Sequence, residues 1–289
     1  MADKLTFRKL LGLYGLYARM DLDFLLRDAK ISLMAIASDV LSNVAGVSAV
    51  FLLAWRFDGV GGMSRWDVLF MLGYVTCVTG LNELFFSNCN TGHISRRIGR
   101  GQVDHMLIQP LPFAIQLITE GFIPFTGSQN LVFGIGIITW ALHGIGIQGI
   151  GIMPHALWFL GLVGYLLVSV TIILGLSYLF SSLTFRWQAA FEEISSTVID
   201  DLTSVLANYP LSGMPSAVQW TLITVVPSGL LGWFPACALL GKPPLGLPVL
   251  YPLVTAIIIW ALAALAFRKG LKYYVKIGSN RYSSGGHRR

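Results

Sequence analysis

From His155 to Leu183 the chain carries no Asp, Glu, Lys or Arg. A stretch of that length and character is a candidate membrane span, and others like it lie along the sequence. Ile31 to Trp55 holds one ionisable residue, Asp39. Trp66 to Phe86 has Glu83 near its inner end. Asn130 to His143 is cleanly apolar, after an approach from Phe113 broken by Glu120 and Pro124. Leu250 to Phe267 is apolar again. Charged residues make up 12% of the 289, about half of the roughly 25% usual in soluble domains. A chain this apolar cannot present a soluble surface, so the sequence predicts an all-α, polytopic membrane protein.

Two segments are less clear. Residues 187–208 have helical periodicity but carry Glu192, Glu193, Asp200 and Asp201. They make the fifth and least hydrophobic span. Residues 216–241 are apolar but broken by Pro227, Gly229, Gly232 and Pro235. They form either a full span or short helices that dip into the outer leaflet and return.

The cations arbitrate. With six spans and a re-entrant 216–241, seventeen of the twenty Lys and Arg fall on one side. Only Arg56, Arg65 and Lys242 fall on the other. The positive-inside rule then puts both termini in the cytoplasm. A full span at 216–241 would carry the seven cations of the tail outside. The expected layout is an amphipathic interfacial helix over 1–30 and a transmembrane domain over 31–268. A basic cytoplasmic tail over 269–289 follows. The same rule accounts for the net charge of +6, so no nucleic-acid partner is expected. The start, MADKLTFRKL, lacks an apolar core followed by a small-residue cleavage site, and no cleaved signal peptide is expected.

One polar island interrupts this pattern, Asn88 to Pro112. Ile94, Ile98, Leu107 and Ile108 mix there with Arg96, Arg97, Arg100, Asp104 and His105. That spacing suits a short amphipathic helix, with Gly99 and Gly101 allowing a bend and Pro110 stopping it. The island is either a solvated basic loop or a docking surface, and the apolar residues favour docking.

No motif for chemistry is present. There is no GxxxxGK[ST] loop, no HExxH and no GxSxG, and Cys77, Cys89 and Cys237 form no CxxC pair. No catalytic residue and no metal site are expected. The acids inside the apolar stretches are costly there and default to functional candidates: Asp39, Asp200 and Asp201 for a pathway or an interface. Each also has an ordinary reading as a structural partner. Buried acids of this kind equally suit a proton-coupled secondary transporter.

Arg97 to Pro112, RIGRGQVDHMLIQPLP, resembles a stretch of ABC-2-type permeases. There, Arg, Gly, Asp, paired apolar residues and Pro separate the second and third spans. The match is closest to the small six-span bacterial branch. Tyr209-Pro210-Leu211, Val226-Pro227-Ser228 and Trp233-Phe234-Pro235-Ala236 resemble that branch's run before the last span. Met106 and Ile108 stand where leucines are commoner, and Trp233-Phe234 replaces a tyrosine.

The resemblance implies a permease subunit that binds no ATP itself; ATP and Mg would sit in a separate ATP-binding subunit. It implies an exporter in the bacterial cytoplasmic (inner) membrane, paired with an identical or sister permease. It makes Ile94, Arg96, Arg97, Arg100, Asp104, Leu107 and Ile108 a coupling helix that docks on the ATPase. It gives the interfacial role to Leu5–Asp23 and the extracellular re-entrant role to the segment with Pro227 and Pro235.

Overall fold

The computed structural model describes residues 7–111, 113–146, 155–188, 191 and 205–278. Eleven α-helices lie among them: α1 (Phe7–Arg27), α2 (Ala29–Arg56), α3 (Arg65–Phe86), α4 (Thr91–Gly99), α5 (Gln102–Leu107), α6 (Phe113–Glu120), α7 (Gln129–Ile145), α8 (His155–Thr184), α9 (Ser216–Thr224), α10 (Trp233–Leu239) and α11 (Tyr251–Ile277). The chain is an all-helical, multi-pass membrane protein. α2, α3, α8 and α11 are long and apolar enough to cross a bilayer. α7, at 17 residues, is apolar but spans only about 25 Å at 1.5 Å per residue.

α3 is the central helix. Every residue from Asp67 to Val78 is buried. A helix apolar all round is stable only when surrounded. Its main partner is α7, and the approach is backbone to backbone. A Cβ on Gly80 would lie 2.2 Å from Leu131 N, and one on Gly134 would lie 2.6 Å from Cys77 N. Small residues let membrane helices come this close, where van der Waals packing replaces the hydrophobic drive that lipid removes. α8 and α11 form the second pair, tied by Trp260 Nε1 donating to Thr171 O at 2.8 Å. α2 is the opposite of α3: Leu33, Met34 and Leu41 are all about 70% exposed, a face left to lipid or another chain.

At one end of the bundle the β-hairpin Gly59–Val60/Met63–Ser64 joins α2 to α3. Gly61 and Gly62 take φ of 59° and 81°, the two positive values its two-residue turn requires. Ser64 and Asp67 then form a capping box that starts α3. Trp55, Trp66 and Trp140 cluster here, with the Arg65 guanidinium 4.6 Å from the Trp55 ring centre. Such an aromatic and cationic band suits a membrane–water interface.

The segment over 216–241 has both its ends at this same end of the bundle. Gly213 packs backbone to backbone on Gly61, and Lys242 Nζ bonds Asp67 Oδ2 at 2.9 Å. Between them α9 and the Pro227–Leu239 stretch meet at a 75° bend. Pro227 opens a tight turn there, and Pro235 lies within α10; both are buried. Ser169 Oγ reaches the turn at Leu230 O, 3.3 Å away, and hydrogen-bonds the Tyr74 hydroxyl at 2.8 Å.

Two boundaries differ from the sequence reading. The approach from Phe113 is not a kinked start to the third span but a separate short helix, α6, divided from α7 by residues 121–128. Pro124 stands in that break, where a helix would lose a hydrogen bond. The last helix runs on past Phe267, the expected end of the span. It continues to Ile277 because Phe267, Leu271 and Tyr274 extend its packed stripe, so Arg268, Lys269, Lys272 and Lys276 are helical. The stretch expected to be the fifth span, with Asp200 and Asp201, lies mostly outside the described residues.

Candidate functional site

The polar island folds as two short helices at the end of the bundle opposite the hairpin. Asn90 caps α4, its side chain accepting from His93 N at 2.7 Å. Gly101, at φ 69°, turns the chain into α5. Thr91, Ile94, Ser95 and Ile98 share one face of α4, and this face is buried. It packs on α8, where Ser181 Oγ donates to Thr91 O at 3.2 Å and Thr184 Oγ1 to Ser95 Oγ at 3.1 Å. Ile94 and Ile98 join Phe185 and Tyr274 in a core of their own.

This corrects part of the sequence reading. Ile94 is fully buried and cannot touch a partner. Amphipathicity shows that an apolar face needs cover, not whose surface covers it, and here the chain covers its own. The exposed side of α4 carries His93, Arg96 and Arg100, spaced i, i+3 and i+7. On α5, Val103 and Met106 turn inward, Asp104 is half-buried, and His105 and Leu107 face outward. Ile108, just past α5, is 81% exposed. Arg96 and Arg100 are thus exposed beside an apolar tip, Leu107 and Ile108. Burial, with Arg96 and Arg97 nearby, holds the His93 imidazole below its ordinary pKa.

Arg97 also differs from expectation. Its Nη1 pairs with Glu120 Oε2 at 2.5 Å, with both side chains less than a third exposed. Glu120 thus belongs to an ion pair at the end of α6. Tyr17 of α1 lies in the field of this pair, and burial is the main cause that raises its phenol.

Beyond Glu120, residues 121–128 bind several helices at once. Ser87 N donates to Gly121 O at 3.1 Å and Ile123 N to Leu84 O at 3.0 Å, fixing the loop to the end of α3. Asp21 on α1 is buried and accepts three hydrogen bonds from it. Phe125 N and Thr126 N reach Oδ2 at 2.7 and 3.1 Å, and Thr126 Oγ1 reaches Oδ1 at 2.6 Å. Tyr14 adds an edge-on ring contact with Phe122, 5.1 Å between centres. Sequence reasoning missed Asp21, whose partners lie more than a hundred positions away. A charged-looking helix face was its only signal.

The start of α7 continues the chain of contacts. Gln129 Nε2 donates to Asp39 Oδ2 at 3.2 Å. Asn43 Nδ2 donates to Asn130 Oδ1 at 2.8 Å, and Asn130 Nδ2 donates to Glu83. Asp39, Asn43, Glu83, Gln129 and Asn130 therefore link α2, α3 and α7. The sequence singled out only the two acids. The amides were legible as polar residues at the edge of apolar runs, but their partners were not. Asp39 is placed on exposed α2, and nothing described brings it to Asp200 or Asp201, which lie outside the described residues.

An apolar groove of about 540 Å³ runs above this cluster, between Val44, Phe51, Leu69, Val132, Ile137 and Trp140. No group of three or more His, Cys, Asp or Glu able to hold a metal is present among the described residues. What the arrangement can do is mechanical. A surface helix is tied by one ion pair to a loop, and the loop is tied to α1, α3 and α7.

No curated protein and no solved structure shows detectable similarity to the chain. One family, described as ABC-2 family transporter protein, matches residues 42–278. With most of its length matched, from the middle of α2 to the end of α11, the chain belongs to the ABC-2 transporter family and is a membrane-embedded permease subunit of an ABC transporter.

Proposed function

We propose that the exposed side of α4 and α5 docks on a separate ATP-binding subunit and that residues 120–128 carry its movement into the membrane. Permeases of this family work with ATP-binding subunits, which sets the kind of partner. The observation that carries the reading is the Arg97–Glu120 pair. It joins a basic surface helix to the end of α6, from which a loop follows that holds α1 through Asp21 and α3 through Leu84. A push on α4 reaches three helices without crossing solvent.

In this reading the island faces the cytoplasm of a bacterial cell and both termini lie on that side. Six spans cross the inner membrane, the fifth formed by the stretch around Asp200 and Asp201. Residues 216–241 dip from the outer surface and return. ATP and Mg belong to the partner, since the chain has no phosphate-binding loop. A second permease chain, identical or sister, packs against exposed α2, and the pair acts as an exporter.

Co-purification tests the docking surface. A tagged chain in mild detergent brings down an ATP-binding subunit, and Arg96→Glu with Arg100→Glu lowers the yield of the complex at least about tenfold, as about 1.4 kcal/mol requires. A wild-type chain that brings down no ATP-binding protein, or a variant that binds as well, contradicts the proposal. Transport driven by protons alone would leave the first of these results.

A further inference from the structure

A second cavity, of about 320 Å³, opens between the end of α8 and α11, at the same end of the bundle as α4. Ser182, Arg186, Trp187, Lys269, Gly270 and Tyr273 line it. Its size falls within the roughly 300–1,000 Å³ of small-ligand sites. The two cations project from different segments into one opening, and both are exposed. The Arg186 guanidinium lies 5.4 Å from the Trp187 ring centre, which steadies it without neutralising it.

Among the described residues, the charge around this cavity has no acidic counterpart. Residues 205–278 contain no Asp or Glu, while Arg268, Lys269, Lys272 and Lys276 follow one another along α11. Residues 155–188 contain no Asp or Glu either. Neither Arg186 nor Lys269 has a carboxylate partner among the described residues. Trp187 and Tyr273 are 49% and 42% exposed, and amphipathic rings of this kind favour a membrane surface. Apolar exposed helix lies directly toward the bilayer centre, at Ile257, Ile258, Leu262 and Leu265. A ligand that satisfies both regions has an anionic head and an apolar body.

We propose that this cavity holds the phosphate headgroup of an anionic phospholipid, with Arg186 and Lys269 on the phosphate oxygens and the acyl chains along α11. Basic pockets between membrane helices are suited to this, because each Lys or Arg near an anionic surface adds attraction. The site requires only that this end of the bundle lie at a bilayer surface, so it stands apart from the docking of an ATP-binding subunit.

The test is thermal unfolding of the purified full-length chain in detergent. Phosphatidylglycerol, phosphatidylcholine and inorganic phosphate are added separately at matched concentration. Phosphatidylglycerol raises the apparent Tm of the wild type by about 2 °C or more, the others by less than half as much. Arg186→Gln with Lys269→Gln loses at least half of that shift. Lys276→Gln, which removes a cation outside the cavity from the same helix, keeps it. Equal stabilisation by phosphatidylcholine would show a purely apolar effect and overturn the proposal. An equal effect of inorganic phosphate would show a free-phosphate site, and a full shift in the double variant would place the lipid elsewhere. Mass spectrometry of the intact protein checks the same point without unfolding. The wild type retains phosphatidylglycerol and the double variant does not.

Discussion

Arg97→Glu uncouples the chain from ATP hydrolysis in its partner. The substitution places a carboxylate against Glu120, where the native pair has side chains only 17% and 27% exposed. Like charges at that distance in a partly desolvated site repel, and the ladder from α4 to residues 120–128 opens. The cost is about 2–3 kcal/mol, below the roughly 3–5 kcal/mol of breaking a fully buried pair, because solvent still reaches both groups. The expected readout is loss of most permease-dependent ATPase activity, measured on the reconstituted complex. Docking persists, because Arg96, Arg100, Leu107 and Ile108 are untouched. Arg97→Glu combined with Glu120→Arg restores the pair in reverse and recovers at least part of the coupling. A reversed pair that stays as inactive as the single variant would show that the ion pair is not the link.

Gly80→Leu prevents the bundle from assembling. A Cβ at this position stands 2.2 Å from Leu131 N and 2.6 Å from Leu131 Cα, so backbone rather than a movable side chain blocks it. α3 and α7 must separate, and the buried run from Asp67 to Val78 loses its cover. The cost exceeds the roughly 1–3 kcal/mol usual for overpacked cores, in which side chains can turn aside. Size-exclusion chromatography in detergent shows the loss of a monodisperse peak. Gly80→Ala lies between it and the wild type. Gly136→Leu, also on α7 but with nothing within 4 Å of the added Cβ, leaves the peak intact. A monodisperse Gly80→Leu protein would mean that the two helices are not so closely packed.

Much of the architecture was legible because membrane spans declare themselves locally. The apolar runs over Ile31–Trp55, Trp66–Phe86, His155–Leu183 and Leu250–Phe267 all lie on helices long enough to cross. Proline and glycine likewise marked the break before α7 and the bend in the island. What was not legible is which surfaces meet. The apolar face of α4 is the clearest case. Ile94 has the spacing of a docking residue, yet it is buried against the chain's own α8 and α11. The partners of Asp21, Arg97 and Glu83 are equally hidden, since a carboxylate in sequence does not point to the amide or guanidinium that the fold brings to it. That α11 runs on beyond the expected span was hidden for a related reason. Lys and Arg lowered the local hydropathy, while Leu271 and Tyr274 kept the helix packed.

The central claim is that the exposed tip of the island meets the ATP-binding subunit. Ile108, 81% exposed, is the place to test it. Cys77, Cys89 and Cys237 are all buried, so Ile108→Cys adds an accessible thiol to an otherwise unmodified chain. Membranes containing the transporter are treated with a short thiol-to-amine crosslinker, alongside Val225→Cys at the bend of the 216–241 segment, where Val225 is 72% exposed. The account predicts a covalent adduct of Ile108→Cys with the ATP-binding subunit and none for Val225→Cys. An adduct only at Val225→Cys, or none at Ile108→Cys while the complex is intact, would contradict it.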